Sequence, residues 1–469
     1  MSFSTERLED LCELIVDCPH STPTWTDSGF VVLRNQNIRD GVLDLSSPSF
    51  TDEEGFKSRI KRATPKENDI VFTREAPMGE VCLIPEGLTC CLGQRQVLLR
   101  AKKNINPHFL FWALQSPYVR HQIFWNEGTG TTVSNVRIPF IKDLKIPRLV
   151  DIEDTIAFTL NSLTQKLSNN NKINRTLEQI AQALFKNWFI DFEPVKAKIA
   201  VLEADGSQED ATLAAMMAIS GKDADSLTVF EREHPEKYAE LRATAELFPS
   251  AMQGSELGEI PAGWFSTDLS YLALLNASSW SKKNAPESLK YVDLANTKWG
   301  IIHSTEEFFF SDAPSRARRI LKPGDTIVGT VRPGNGSYAY IAEDGLTGST
   351  GFAVLTPKHE HFSSFIYICA TSKDNIERLA HLADGGAYPA VNADVVLSTP
   401  CIIPVDHHSS KNLITCFHYY VRELFAYKQS NLRQNKSLEQ LRDTLLPKLL
   451  SGEIPLPEAA ELAKEADYV

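Results

Sequence analysis

The chain has 469 residues and a net charge of −12, with 42% hydrophobic and 23% charged residues, a composition typical of a soluble globular protein with room for two to four domains. No segment reaches the roughly 18 unbroken apolar residues that cross a bilayer, and the N-terminal sequence MSFSTERLED lacks the basic and apolar regions of a signal peptide. The eight cysteines form no CxxC pair and no zinc-finger cluster with histidine. We therefore expect a cytoplasmic protein with buried thiols and no metal site.

Residues 1–150 predict a first α/β domain. The segment NDIVFT (68–73) indicates a turn followed by a buried strand, and it comes after a basic cluster formed by Arg59, Lys61 and Arg62. The segment FLFWALQSPYVRHQI (109–123) has the spacing of a short amphipathic helix. A glycine-rich loop at 128–135 then leads to a strand that ends at Ile146-Pro147.

Residues 151–194 predict a long helix. A 4,3 spacing of apolar and amide side chains is typical of one helix packed against another. This seam comprises Ile156, Leu160, Leu163, Leu167, Asn170, Asn174, Leu177, Ala181, Leu184 and Trp188.

The segment 195–260 is acidic and alanine-rich. Residues 199–260 carry a net charge of −9 and the tail 453–469 carries −4, so removing both from the total of −12 leaves +1 for the rest of the chain. Local basic patches can therefore exist in spite of the acidic total. We expect an exposed helical connector at 195–260 with a flexible stretch before Trp264.

Residues 261–405 repeat the first domain at a spacing of about 257 residues, which indicates a duplicated domain rather than a solenoid. GDTIVGT (324–330) matches NDIVFT, and its own basic cluster consists of Arg316, Arg318 and Arg319. FIYICATSKDNIERL (365–379) matches the predicted helix at 109–123, and YVDLANTKWG (291–300) matches VVLRNQNIRDG (31–41).

Residues 406–452 predict a second long helix. Its seam comprises Leu413, Phe417, Tyr420, Leu424, Tyr427, Asn431, Gln434, Leu438, Leu441 and Leu445. Both seams become polar near the middle, so the amides can face each other if the two helices are antiparallel. Each helix of about 40 residues would be roughly 60 Å long at ~1.5 Å per residue.

Two helical segments, LEQIAQALFKNWFIDFEPVKAK (177–198) and NKSLEQLRDTLLPKLLSGEI (435–454), each close a variable domain. In this respect the chain resembles the specificity subunits of Type I restriction-modification systems, over nearly its whole length. The resemblance implies an α+β fold with two pseudo-symmetric α/β target-recognition domains separated by two long antiparallel coiled-coil helices.

The resemblance also implies that the chain reads a bipartite, asymmetric site on double-stranded DNA and does no chemistry itself. Two modification (methyltransferase) subunits and the restriction (translocase and nuclease) subunits would be its partners. S-adenosylmethionine, ATP and Mg²⁺ would bind in those partners, so no cofactor is expected in this chain.

DNA-contacting candidates are side chains that can pair with base edges or hold phosphates. In the first domain they are Arg34, Asn35, Gln36, Thr73, Arg74, Gln94, Arg95, Gln96, Thr131, Thr132, Ser134 and Asn135, together with the basic cluster at 59–62. In the second they are Lys282, Lys283, Arg332, Asn335, Ser337, Tyr338, Tyr388 and Asn392, together with the cluster at 316–319. The aromatic residues at the end of the first helix are partner-binding candidates: Phe185, Trp188, Phe189 and Phe192.

Two other functions stay open at this point. A protein-interaction scaffold would use the paired domains to bind protein instead of DNA, and a degenerate nuclease or methyltransferase would be active alone. The chain has no GxxxxGK[ST] loop. NPHF (106–109) lacks the second proline of a methyltransferase motif, His407-His408 has no suitably spaced metal ligands, and Asp69 and Asp325 read as turn residues.

Overall fold

A computed structural model describes residues 4–45, 47–125, 135–256, 258–386, 389–405, 412–451 and 453. The chain divides into two compact units, residues 1–172 with 431–469 and residues 173–430. Each unit contains one domain, parts of two long helices and its own hydrophobic cores.

The first domain comprises residues up to Arg148. Its elements are β1 (Ser4–Arg7), α1 (Leu8–Leu11), β2 (Cys12–Asp17), β3 (Phe30–Leu33), β4 (Ile38–Arg39), β5 (Val42–Leu43), β6 (Ser49–Thr51), α2 (Glu53–Arg59), β7 (Ile70–Thr73), β8 (Val81–Leu83), β9 (Cys90–Leu92), β10 (Gln96–Ala101), α3 (Pro107–Gln115), α4 (Pro117–Trp125), α5 (Ile138–Asp143) and β11 (Lys145–Arg148).

Two sheets form the body of this domain. An antiparallel sheet has the order β2-β10-β7-β8, and a second has the order β6-β3-β9, in which β3 and β9 run parallel. Strands β4 and β5 form a tight hairpin, and β1 pairs with β11. The central strand β7 is buried along its whole length, as its continuous apolar run predicts.

A long helix and a helical connector follow. Their elements are α6 (Glu153–Phe189), α7 (Glu193–Glu203), α8 (Gln208–Ser220), α9 (Ala224–Glu233), α10 (Pro235–Glu246), β12 (Met252–Ser255) and β13 (Gly258–Pro261). The connector is helical, as predicted, and it has a small core of its own around Met216. The flexible stretch predicted before Trp264 is instead the β12–β13 hairpin, which Gln253 ties to the Trp264 carbonyl at 2.7 Å.

The second domain extends from Trp264 to Pro404. Its elements are β14 (Trp264–Asp268), β15 (Ala273–Leu275), β16 (Ser288–Val292), β17 (Thr297–Lys298), β18 (Ile301–Ile302), β19 (Glu306–Phe309), β20 (Ala317–Ile320), β21 (Thr326–Gly329), β22 (Tyr338–Tyr340), β23 (Leu346–Ser349), β24 (Phe352–Pro357), α11 (Ser363–Thr371), α12 (Lys373–Leu382), α13 (Ala393–Leu397) and β25 (Pro400–Pro404). The second long helix is α14 (Leu413–Ser451).

The two domains share their topology except for β20, which adds a fourth strand to the second sheet, of order β19-β16-β23-β20. The order β15-β24-β21-β22 repeats β2-β10-β7-β8, and the parallel pair β16 and β23 repeats β3 and β9. The hairpin β17–β18 repeats β4–β5, and the pair β14 with β25 repeats β1 with β11. The duplication inferred from the sequence and the predicted α+β fold class are therefore confirmed.

The two long helices pack against each other within each unit. In the first unit, Leu160 and Leu167 of α6 share a core with Leu438 and Leu445 of α14. In the second unit, Glu178 pairs with Lys428 and Trp188 packs on Phe417, so α6 and α14 are antiparallel there.

The predicted seam of α6 is confirmed except at its half-buried Leu184, whereas that of α14 is confirmed at Leu413 and Phe417 and wrong at Tyr420 and Tyr427. Tyr420 and Tyr427 are 40% and 52% exposed, and the buried positions are Val421, Phe425 and Lys428. Two features explain the shift: tyrosine can keep its hydroxyl in water at the rim, and Lys428 is buried because Glu178 neutralises it.

Each short amphipathic helix predicted after the central strands is a pair of helices. Pro117 divides α3 from α4, because the residue before a proline disfavours helical geometry. In the second domain Ser372 divides α11 from α12, and its hydroxyl caps α12 by accepting the Asn375 amide at 3.3 Å.

Candidate DNA interface

Loops that follow three strands of the first domain meet at one junction. Parallel strands β3 and β9 end side by side at Leu33 and Leu92, so the loops after them begin together. The Gly93 amide donates to the Leu33 carbonyl at 2.7 Å, and a β-carbon at Gly93 would lie 2.4 Å from that oxygen. Only glycine therefore permits this close approach.

The loop after β7 completes the junction. Asn35 donates its side-chain amide to the Glu75 carbonyl, and the Arg74 amide donates to the Arg95 carbonyl at 2.8 Å. Arg95 has a φ of 67° and its side chain lies 3.6 Å from the Glu75 carboxylate. The structure thus brings together Arg34, Asn35, Gln36, Gln94 and Arg95.

The side chains at this junction differ in how exposed they are to solvent. Arg34, Gln36 and Arg95 are exposed, and the Arg34 guanidinium lies 5.2 Å from the centre of the Trp25 ring. Gln94 donates to the His20 carbonyl at 2.6 Å and is half-buried.

Thr73, Arg74 and Gln96 have structural tasks instead of the predicted DNA contact. Thr73 and Gln96 are fully buried. Arg74 is mostly buried, donates to the Val136 carbonyl at 3.1 Å and pairs with Asp17 at 3.2 Å.

The basic cluster of the first domain contains one buried member. Arg59 is 5% exposed, and its guanidinium donates to the carbonyls of Leu92, Ser21 and Pro19 at 2.7, 3.0 and 3.2 Å. Its predicted phosphate contact is therefore wrong, because its donors hold the fold together. Lys61 and Arg62 are exposed, and Arg62 also donates to the Asp17 carbonyl at 3.2 Å.

The same backbone junction recurs in the second domain with other side chains. The Thr330 amide donates to the Gly351 carbonyl at 2.9 Å, as Arg74 does to Arg95. The Val391 amide donates to the Thr330 carbonyl at 2.9 Å, as Val136 does to Arg74 at 3.0 Å.

The loop RPGNGSY (332–338) stands at this junction. Arg332 and Asn335 are exposed, whereas Ser337 and Tyr338 are 6% and 7% exposed. Lys298 holds the loop, since its ammonium lies 3.3 Å from both the Asn335 carbonyl and the Ser337 hydroxyl. The base contacts predicted for Ser337 and Tyr338 are therefore not supported by their burial.

Two basic residues of the second domain, Arg318 and Arg319, lie on strand β20, and Arg316 immediately precedes it. Arg316 is exposed and pairs with Asp293 at 2.7 Å. The nearby Tyr291, followed by Asp293, raises the pKa of Arg316. Arg318 lies over the Phe310 ring at 4.8 Å. Arg319 donates to the Ser279 hydroxyl at 3.2 Å, and burial lowers its pKa.

The remaining loop candidates divide into described and undescribed positions. Lys282 and Lys283 are exposed in a turn that Asn284 closes, Asn392 is exposed at the start of α13, and Asn135 is half-buried. Thr131, Thr132, Ser134, Tyr388 and His407-His408 lie outside the described residues.

Asp69 and Asp325 have the structural role that the sequence predicts, but their side chains have different partners. The Asp69 carboxylate accepts the Lys66 amide at 2.8 Å and pairs with Arg100 at 2.7 Å. Asp325 accepts the Lys322 amide at 2.8 Å, and burial raises the pKa of its carboxyl.

Residues suspected of chemistry also have structural roles. Asn106 of the NPHF segment caps α3 by accepting the His108 amide at 2.9 Å. All eight cysteines are free thiols, and burial raises the pKa of Cys90 to about 12.

Among the described residues, no group of His, Cys, Asp and Glu side chains could hold a metal ion. A membrane-crossing helix is likewise not found in the described part of the chain.

The aromatic residues at the end of α6 are core residues of the second unit. Phe185, Trp188, Phe189 and Phe192 are 5%, 0%, 1% and 6% exposed and pack with Phe365 and Phe417. Their predicted partner-binding surface is therefore wrong in this structure, because none of the four rings is accessible.

One prominent exposed residue was missed by the sequence reasoning. Trp299, at the tip of the β17–β18 hairpin, is 60% exposed. The alignment of the two repeats could have found it, because it places the large apolar Trp299 at the position of the polar Asp40.

Comparison with known proteins shows the family to which the chain belongs. The sequence profile of the Type I restriction modification DNA specificity domain matches residues 3–179. The HindI Type I restriction enzyme specificity subunit of Haemophilus influenzae is 33% identical over 317 residues, which cover 65% of this chain and 67% of that protein. The chain belongs to the specificity subunits of Type I restriction enzymes.

Other members of this specificity-subunit family are more distant. The MjaIX specificity subunit of Methanocaldococcus jannaschii is 22% identical over 418 residues, 87% of this chain and 82% of that one. The crystal structure of the S subunit from M. genitalium aligns with 96% of each chain at a TM-score of 0.48 and 16% identity.

Proposed function

We propose that this specificity subunit recognises a bipartite, asymmetric site on double-stranded DNA, and that each domain reads one half. The observation that carries the proposal is the shared backbone junction with different side chains. The exposed Arg95 of the first domain stands where the second has Gly351. The same backbone junction with different side chains is suited to binding two half-sites of different sequence.

Exposed side chains at the two junctions have the chemistry that this task needs. Arg34, Gln36 and Arg95 in the first domain, and Arg332 and Asn335 in the second, can donate to base edges in a groove. Lys61 and Lys282 can hold phosphates without reading sequence. The net charge of −12 is compatible with this role, because −9 of it lies in the connector region 199–260.

Catalysis, in this proposal, belongs to partner subunits. Two modification subunits would bind S-adenosylmethionine and methylate the site that the specificity subunit has bound. Restriction subunits would supply ATP-driven translocation and Mg²⁺-dependent cleavage. The chain itself would bind no cofactor.

A selection experiment tests the proposal. Purified full-length chain, alone and with its modification subunits, is used to enrich a library of random 40-base-pair duplexes, and the enriched pool is sequenced. We expect one motif with two specific halves and a fixed gap, and an affinity that falls steeply with salt. A pool without a motif would favour the scaffold alternative, and methylation or cleavage by the chain alone would favour the enzyme alternative.

A further inference from the structure

The turn between β17 and β18 holds a tryptophan in a conformation that tryptophan disfavours. Trp299 and Gly300 have φ values of 47° and 80°, and positive φ at both central residues is the mark of a type I′ hairpin turn. Such turns select Asn, Asp or Gly. The equivalent turn of the first domain follows that rule, with Asp40 and Gly41 at φ values of 50° and 78°. Turn formation therefore does not explain Trp299.

The indole is held rigidly in this exposed position. A β-carbon on Gly336 would lie 2.6 Å from the indole ring, so the ring rests on the bare backbone of that glycine. The Trp299 amide donates to the Gly336 carbonyl at 2.7 Å, and the indole meets the Tyr338 ring edge-on at 6.0 Å between centroids.

Beneath the tip, the turn is fixed to the core of the second unit. Gly300 is buried, and a β-carbon there would lie 2.7 Å from the Tyr367 hydroxyl and 3.1 Å from the Lys428 ammonium. Lys428 is in turn paired with Glu178 at 2.7 Å. The exposed indole thus stands on a fixed base, as a residue that contacts a ligand requires.

The surroundings of the indole favour duplex DNA as that ligand. Lys298 precedes it in the hairpin, and the loop on which it rests exposes Arg332 and Asn335. Arg332 also has a positive φ, 46°, and unfavourable backbone conformations concentrate at functional sites. A large apolar ring flanked by cations suits a groove lined by sugars and bases between two rows of phosphates.

We propose that Trp299 enters a groove of the half-site read by the second domain and is a specificity determinant for that half. The inference deepens the proposed function and rests on it. The ring packs against sugar and base edges, its N–H can donate to a base acceptor, and the exposed Arg332 can hold a flanking phosphate.

Trp299→Asn separates this role from a structural one. Asparagine suits a type I′ turn better than tryptophan does, so the variant should keep or raise the unfolding temperature of the chain. Phe309→Thr is the matched control, because Phe309 is 61% exposed on β19 of the same domain and is not part of the hairpin. Wild type, both variants and Trp299→Phe are used in the same selection from random duplexes.

We expect Trp299→Asn to retain the first half of the enriched motif, to lose sequence preference in the second half and to bind the wild-type motif about tenfold more weakly. Trp299→Phe should have an intermediate affinity, and Phe309→Thr should behave as wild type. An unchanged motif and affinity in Trp299→Asn would overturn the inference and leave the proposed function intact, as would a lowered unfolding temperature, which would mark Trp299 as structural. Failure of the wild-type chain to enrich any motif would refute the proposed function, and the inference with it.

Discussion

Asn170 on α6 donates its side-chain amide to the side-chain oxygen of Asn435 on α14 at 2.9 Å, within the first unit. The same amide reaches Gln434 at 2.7 Å, and Asn435 donates onward to Asn171 at 2.8 Å. A layer of buried amides among leucines penalises any slipped register, because a shift would leave polar groups without partners.

This layer predicts energetic coupling between the two helices. Asn435→Ala should lower the free energy of unfolding by about 1–3 kcal/mol, because the buried Asn170 amide loses one of its two acceptors and Asn171 loses its donor. Asn170→Leu with Asn435→Leu should cost less than the sum of the two single changes. The measurement is a double-mutant cycle by urea unfolding, and a coupling energy of zero would contradict the role of the layer.

Asp69→Asn should destabilise the first domain. Asp69 is 2% exposed and binds Arg100 through both carboxylate oxygens at 2.7 Å. The change leaves a partly buried guanidinium unpaired, at a cost of about 3 kcal/mol. Urea unfolding of the full chain at neutral pH measures the difference, and a change below about 0.5 kcal/mol would show that the ion pair has no net effect.

Asp325→Asn should raise the free energy of unfolding at neutral pH, whereas Asp69→Asn should lower it. Burial raises the pKa of the Asp325 carboxyl, so the folded state binds its proton more tightly than the unfolded state does. The wild-type free energy of unfolding therefore falls as pH rises from the ordinary aspartate value, about 3.9, through the raised pKa. Asparagine lacks this titration and can accept the Lys322 amide in the same way.

We accordingly expect Asp325→Asn to be more stable than wild type at pH 7, with the gain shrinking as the pH falls through that window. Unfolding temperatures of both proteins across the pH range measure it. Equal stability at pH 7, or a gain that grows in acid, would argue against a buried charge at Asp325.

Lys61 and Arg59 should separate DNA binding from stability. Lys61→Ala removes an exposed cation, so we expect weaker binding to all duplexes, a salt slope reduced by about 1 and little change in stability. Arg59→Ala should cost about 2–4 kcal/mol of stability, because three carbonyls lose their donor. A duplex titration at several salt concentrations and a urea series on both variants test this, and reversed effects would refute the assignment.

Much of the architecture could be predicted from the sequence, because both copies have apolar residues at the same buried positions and the same turn residues beside them. The central strands β7 and β21 are continuous apolar runs, and the turn aspartates before them recur at the same offset. The α6 seam was predictable because apolar and amide residues keep the 4,3 spacing from Ile156 to Trp188.

Side-chain roles at the site were less predictable, because burial of a polar residue depends on contacts distant in sequence. Arg59 and Arg316 occupy equivalent offsets in the two copies, yet Arg59 is buried at the end of a helix, where it donates to three carbonyls, and Arg316 is exposed next to a strand. In the sequence, Trp188 looks the same whether it binds a partner or fills a core, because both roles use large aromatic side chains. Only the fold shows that Trp188 is buried in the second unit.

The most direct test of the account exchanges residues 1–150 for the equivalent domain of a relative with a different recognition site. The hybrid chain is expressed with its modification subunits, and methylated positions in the host genome are mapped by sequencing. We predict that the first half of the methylated motif becomes that of the relative while the second half stays unchanged. A change in both halves, or in neither, would contradict the claim that each domain reads its own half-site.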